Sequence, residues 1–270
     1  MTPFVETIPT GAVVVDVRWY LDGRGGRDAY EQGHIPGAVW VDLDHDLAAH
    51  DRPATEGRHP LPSPEHFAAA MGRLGINRSS TVVAYDDTGG LTAGRLVVML
   101  RWLGVAAAVL DGGLATWTAD GQEVEIGPGP TPTPTHFEPA PWPADHLATT
   151  DQVADLGGAV LLDARARERF TGEAALAIER PGHIPDARSA PWAAVLGPDG
   201  TVRDVAELRE HFTTLGVGDT SDVIASCGSG VSACMNVLAL EHAGFAPARL
   251  YVASWSGWSA DPERPAVTGD

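Results

Sequence analysis

The sequence predicts an α/β fold in two tandem domains, each a parallel sheet with helices on both faces. Three observations carry that reading. The first is an internal repeat: VVVDVR at Val13–Arg18 returns as VLLDAR at Val160–Arg165, Gly33-His34-Ile35-Pro36 returns as Gly182-His183-Ile184-Pro185, and TVVAY at Thr81–Tyr85 returns as DVIAS at Asp222–Ser226. The second is alternation of short apolar runs with helical patterns within each half. The third is a proline-rich stretch between the halves: of 21 prolines, seven fall in GPGPTPTPTHFEPAPWP, Gly127 to Pro143, where neither a helix nor a sheet ladder is sustained.

The elements follow in order. Val13–Val17 reads as a buried strand. Pro64–Leu74 reads as a helix opened by Ser63, with proline at its first position. Val82–Tyr85 is a second strand, Ala93–Leu103 a helix closed by Gly104, and Val105–Leu110 a third strand. The repeat spacing defines the domains. Asp86 and Cys227 are 141 positions apart, as are Trp117 and Trp258, whereas Asp16 and Asp163 are 147 apart and His34 and His183 are 149 apart. A constant late offset after a larger early one marks a duplication whose first copy carries extra residues in its middle. The expected division is residues 1–126, an extended linker over 127–143, and residues 144–270. In such sheets ligands bind beyond the carboxyl ends of the strands, where Asp86 and Cys227 each stand between a strand and a helix.

Composition narrows the function. With 36 Asp plus Glu against 18 Lys plus Arg, the net charge is −18, which repels a phosphate backbone or an anionic membrane surface. Nucleic acid and membrane are excluded as partners. Leu96–Leu110 is the longest apolar stretch, too short and interrupted by Arg101 to span a bilayer. Met1–Glu6 has neither the basic region nor the apolar run of a signal peptide, so a cytoplasmic protein is expected. Two cysteines, Cys227 and Cys234, make no disulfide framework and match no zinc spacing. No metal and no cofactor are expected.

The chemistry is concentrated in Cys227-Gly228-Ser229-Gly230-Val231-Ser232. Two glycines let the loop curl so that backbone N–H groups point inward, and the following helix adds its positive end. A thiolate at Cys227 is an anion that such a cradle favours, which makes it a nucleophile. Cys234 falls on the apolar face of the helix and is expected in the core. Phosphatases use a similar cradle with an arginine six positions after the cysteine; Ala233 stands there, so phosphate-ester hydrolysis lacks its planar bidentate donor.

With DVR and DAR, GHIP in both halves, a loop cysteine only in the second half and LDGGLATW closing the first, the chain resembles the tandem-domain rhodanese family of sulfurtransferases over essentially its whole length. The resemblance implies transfer of a sulfane sulfur from a small-molecule donor, through a persulfide on Cys227, to a thiol or cyanide, with a thioredoxin-like protein as one candidate thiol acceptor. The loop is similar to the mercaptopyruvate type, with Ser232 for threonine; Gly228, Ser229, Gly230, Val231 and Ser232 are its expected donor-binding positions. Asp44, His59 and Ser229 match that type's acid–base relay. Physically, cleaving carbon from sulfur leaves an enolate of pyruvate that needs a proton. With His59 in the first half and Ser229 in the second, the site is expected in the crevice between domains. Arg169 matches the substrate-binding arginine, suited to a carboxylate by its fork. Arg165, His34 and His183 match positions that serve structure. The sequence departs from the type at Leu176, where a second arginine is expected, with Arg180 the candidate to replace it, and at Asp186, where glycine follows GHIP.

Three functions remain open: a sulfurtransferase using mercaptopyruvate, a sulfurtransferase using thiosulfate, and a non-catalytic module that carries sulfur or binds a partner.

Overall fold

The computed structural model describes residues 1–174, 176 and 179–269. It divides into two compact units: Met1–Ala49 with Leu61–Pro143 and Pro198–Val202, and His50–Pro60 with Ala144–Gly197 and Arg203–Asp270. This differs from the sequence-derived division in three places, the third being the grouping of Pro198–Val202 with the first unit. Residues 127–143 carry neither helix nor strand, as expected, but they are no free linker. Thr135 donates its N–H to the Gly72 carbonyl (2.9 Å) and its hydroxyl to that of Ile76 (2.7 Å), Trp142 Nε1 donates to Pro62 O (2.8 Å), and buried Phe137 meets Phe67 edge-on. The apolar area of Phe137 and Trp142 anchors the segment to the first unit. The second difference, the membership of residues 50–60, bears on the site.

The first unit is built from strands β1 (Phe4–Val5), β2 (Val13–Asp16), β3 (Val39–Trp40), β4 (Thr81–Tyr85) and β5 (Ala106–Leu110), with helices α1 (Gly26–Gln32), α2 (Leu43–Asp46), α3 (Pro64–Arg73), α4 (Ala93–Trp102) and α5 (Gly113–Ala119). Its sheet runs β1-β5-β4-β2-β3, parallel throughout, with Val13 opposite Val82 and Thr81 opposite Ala106. Strands buried on both sides explain the continuous apolar runs of β2 and β4. Ser63 caps α3 by accepting the His66 N–H at 3.1 Å. The stretch Leu96–Leu110 is a buried helix followed by a strand, and among the described residues no helix is long and apolar enough to cross a membrane.

The second unit holds α6 (Thr150–Ala154), β6 (Val160–Asp163), α7 (Arg167–Thr171), β7 (Arg188–Ser189), α8 (Val205–Thr214), β8 (Val223–Ser226), α9 (Ala233–His242), β9 (Arg249–Leu250) and α10 (Ser254–Ala260). Its parallel sheet runs β7-β6-β8-β9, over a core that includes Leu161, Ile224, Tyr251, Trp255 and Trp258. Asp204 and Glu207 close a capping box on α8.

Both units use one device, at the ends of β2 and β6. Asp16 accepts the Arg18 backbone N–H (3.0 Å) and its guanidinium (2.6 Å), and Arg18 reaches on to Gly33 O (2.8 Å). Asp163, Arg165 and Gly182 repeat this at 3.0, 2.6 and 2.9 Å. The repeated histidines are packing residues: His34 bonds Tyr30 O and stacks on its ring, and His183 does the same with Phe170, each at 2.9 Å to the carbonyl. Asp186 adopts φ 62, the left-handed backbone that Gly37 holds at φ 76 in the first copy. Aspartate tolerates that region, so the departure after GHIP leaves the turn intact.

Because the Asp163–Arg165 pair is fully buried, Arg165→Ala strands a carboxylate in the core. Urea unfolding of that variant is expected to show a loss of about 3–5 kcal/mol. A loss below about 1 kcal/mol, the range of exposed pairs, would mean that water reaches Asp163.

Candidate active site

Cys227 follows β8 directly, and α9 begins six residues later. Its side chain is 1% exposed. The Gly230 N–H donates to Sγ at 3.1 Å, and Gly230 reaches that position with φ 76, its Cα packed so that a Cβ would stand 2.6 Å from Val252 O. The carbonyls of Cys227 and Gly228 turn the other way, each accepting an N–H from α10 (Trp255 and Ser256, both 2.9 Å). Carbonyls directed away and an amide directed inward favour negative charge on sulfur. Ser254 completes the floor: its Oγ accepts the Cys227 N–H (3.1 Å), donates to Tyr251 O (2.8 Å) and lies 4.0 Å from Sγ. With its one proton committed to Tyr251, the hydroxyl fixes the Cys227 backbone and leaves the thiol to the Gly230 amide.

His59 falls in the same compact unit as Ser229 and the Cys227 loop. Its segment is held against α10. A Cβ at Gly57 would stand 2.5 Å from Ala253 O, one at Gly257 would stand 2.6 Å from Thr55 O, and the Arg58 N–H donates to Ser256 Oγ at 3.1 Å. Two glycines thus allow backbones to touch where side chains would hold them apart. The consequence is a hydrogen bond between buried groups, His59 Nδ1 to Ser229 Oγ at 2.8 Å. Asp44 is in α2 of the first unit, where its Oδ2 accepts the Trp19 indole N–H at 2.8 Å.

Beside the loop stand two guanidinium groups. A Cβ on Gly228 would be 3.2 Å from a terminal nitrogen of Arg169 and 3.3 Å from one of Arg58. Both arginines donate to one carboxylate, that of Glu179, Arg58 to Oε1 and Arg169 to Oε2, the latter at 2.7 Å. Arg180 is elsewhere, its guanidinium on the carbonyls of Pro262 (3.4 Å) and Arg264 (3.0 Å). Its Nε is buried without a hydrogen-bond partner among the described residues. Val231 is buried, and Ser232 takes the N-cap position of α9 without a side-chain capping bond. Cys234 is in the core, its thiol on Gly230 O at 3.5 Å.

The first unit contains the same strand-to-helix loop with Asp86 in place of the cysteine. Its carboxylate accepts the N–H groups of Thr88, Gly90, Thr92 and Ala93 at 2.8–2.9 Å and the Thr92 hydroxyl at 3.0 Å. Five donors converging on one anion display what this loop geometry favours. Gly113 and Ser254 correspond as well, at φ 53 and 51, each next to the residue whose N–H takes the carbonyl of Asp86 or Cys227.

Residues 4–120 and 147–261 each match the family model of the rhodanese-like domain. The chain belongs to the rhodanese family. It is 42% identical to the probable 3-mercaptopyruvate sulfurtransferase of Pseudomonas aeruginosa over 96% of this chain and 93% of that one. It is 40% identical to the putative thiosulfate sulfurtransferase SseB of Mycobacterium tuberculosis over 95% and 90%. Among solved structures, the 3-mercaptopyruvate sulfurtransferase SseA of Escherichia coli superposes with a TM-score of 0.77 at 32% identity, covering 91% of this chain and 93% of that one. Like these relatives, this tandem rhodanese is a sulfurtransferase.

Three residues that the structure places beside the Cys227 loop are not among the positions singled out from the sequence. Arg58 gives no periodic or motif signal beside His59 in a polar loop, and Glu179 lies in a stretch without pattern. Ser254 was legible, since the 141-residue offset pairs it with Gly113 of LDGG.

Proposed function

We propose that this rhodanese moves a sulfane sulfur from 3-mercaptopyruvate, through a persulfide on Cys227, to a thiol or cyanide. The observation that carries this reading is the Ser229–His59 hydrogen bond beside the Cys227 loop, because a proton relay serves a donor whose leaving group is a carbanion. The Cys227 thiolate attacks the donor sulfur, a sulfur–sulfur bond forms, and the carbon–sulfur bond breaks with its electron pair going to carbon. The pyruvate enolate takes a proton from the Ser229 hydroxyl, which recovers one from His59 Nδ1. Cys227 is left as the persulfide. An acceptor thiolate then attacks the outer sulfur and departs as its own persulfide, or cyanide departs as thiocyanate, and the Cys227 thiolate returns.

Asp44 is assigned to the relay on its correspondence with the family pattern alone. Gly228, Gly230, Val231 and Ser232 form the loop around the transferred sulfur, and Arg169 orients the donor's carboxylate. Glycine and serine directly after Cys227 provide no charge for a dianion such as thiosulfate, which favours the monoanionic donor. A reducing cytoplasm supplies thiols, including those of thioredoxin-like proteins, as acceptors.

Arg169→Ala is expected to lower kcat/KM for the donor by about 10- to 100-fold, with alkylation of Cys227 by iodoacetamide nearly unchanged. Equal losses in both would mean that Arg169 holds the loop together. The function itself is tested by steady-state kinetics with mercaptopyruvate and thiosulfate, each with a thiol and with cyanide. A higher kcat/KM for mercaptopyruvate with either acceptor is expected, and a preference for thiosulfate would overturn the donor.

A further inference from the structure

Arg58, Arg169 and Glu179 form a cluster with a net charge of +1 on the loop that bears Cys227. Glu179 engages one nitrogen of each arginine, although each guanidinium offers five N–H donors, and Arg169 Nε is buried without a hydrogen-bond partner among the described residues. Solvent reaches the arginines and not the glutamate: their side chains are 25% and 23% exposed, that of Glu179 only 3%. The approach is specific to this loop, because any side chain at position 228 would meet both guanidinium groups within 3.3 Å. Charge beyond what Glu179 neutralises, spare donors and contact with the nucleophile's own loop are the properties of an anion subsite.

We infer that Arg58 is the second half of that subsite: Arg58 and Arg169 together grip the donor's carboxylate, and Glu179 is the internal counter-charge that holds the two forks in position. This deepens the proposed function and rests on it for the identity of the donor. The terminal nitrogens of Arg180 lie on the Pro262 and Arg264 carbonyls and Leu176 has no charge, whereas Arg58, adjacent to His59, is the second guanidinium beside Gly228. One short segment then positions both the proton relay and the donor's charged end.

The test compares alkylation of Cys227 by iodoacetate and by iodoacetamide, reagents that differ in charge, and sets it beside donor kinetics. In Arg58→Ala the iodoacetate-to-iodoacetamide rate ratio should fall about tenfold, the effect of removing a partly exposed charge near the reacting sulfur, while the iodoacetamide rate stays within about twofold. Arg58→Lys should restore much of the ratio, because it restores the charge without the fork. Glu179→Gln, which adds one unit of net charge to the cluster, should raise it. The KM for mercaptopyruvate should rise in Arg58→Ala with a smaller change in kcat. An unchanged ratio in Arg58→Ala overturns the subsite, and so does an equal loss with both reagents, which would make Arg58 a support for the loop. A fall in the ratio with unaltered mercaptopyruvate kinetics keeps the anion subsite and overturns the donor instead.

Discussion

Cys227→Ser should abolish turnover with every donor, while Cys234→Ala should retain nearly all of it. The two thiols are seven residues apart and both buried, yet their surroundings assign opposite roles. Cys227 Sγ accepts the Gly230 N–H at the start of the loop, whereas the Cys234 thiol donates to the Gly230 carbonyl from within the first turn of α9. A serine hydroxyl is too poor a nucleophile without an adjacent base, and it forms no persulfide. The expected loss is to the background rate. Cys234→Ala deletes one small buried group, a cost of about 1 kcal/mol in stability at most sites of this kind, and should leave kcat within about twofold. Activity retained in Cys227→Ser, measured as pyruvate release, would remove the cysteine from the mechanism.

The second large effect separates donors. His59→Ala should reduce mercaptopyruvate turnover by about 10²- to 10⁴-fold, the usual contribution of a positioned general acid, and change thiosulfate turnover little. Sulfite leaves thiosulfate as a stable anion and requires no proton, whereas an enolate does. In the proposed mechanism Ser229 recovers its proton from His59, whose Nδ1 lies 2.8 Å from its Oγ. Ser229→Ala should follow the same pattern, and Asp44→Asn is expected to fall in the same direction. Equal depression of both donors by His59→Ala would mean that the histidine only braces the segment before α3 against the loop.

The sequence was most informative where backbone chemistry is local. The strand–loop–helix around Cys227 and its counterpart at Asp86 followed from apolar runs, glycines and helix caps, and α3 begins at the proline after Ser63. Strand ends were less legible. Val17 lies outside β2 because Arg18 folds its N–H back onto Asp16, a side-chain event that hydrophobic patterning does not register. The direction of a long side chain was not legible at all. Arg180 places its terminal nitrogens on the Pro262 and Arg264 carbonyls, and Arg58, which spacing did not single out, has a terminal nitrogen 3.3 Å from where a Cβ on Gly228 would stand. Chain spacing measures distance along the backbone, and a guanidinium on a flexible stem has too many rotamers for that distance to fix its end. That His59 shares a compact unit with Ser229 was not legible, because the contacts at Gly57 and Gly257 that bind its segment to α10 join residues about 200 positions apart. The packing of residues 127–143 had a signal in Phe137 and Trp142, two large apolar side chains that a solvated linker does not need.

The most direct test of the central claim is the mass of the Cys227 peptide after the protein is incubated with mercaptopyruvate without an acceptor. That peptide is expected to gain one sulfur atom, with an equal amount of pyruvate formed, and to lose it when a thiol or cyanide is added. No gain, or a gain located on the Cys234 side of the loop, would contradict it.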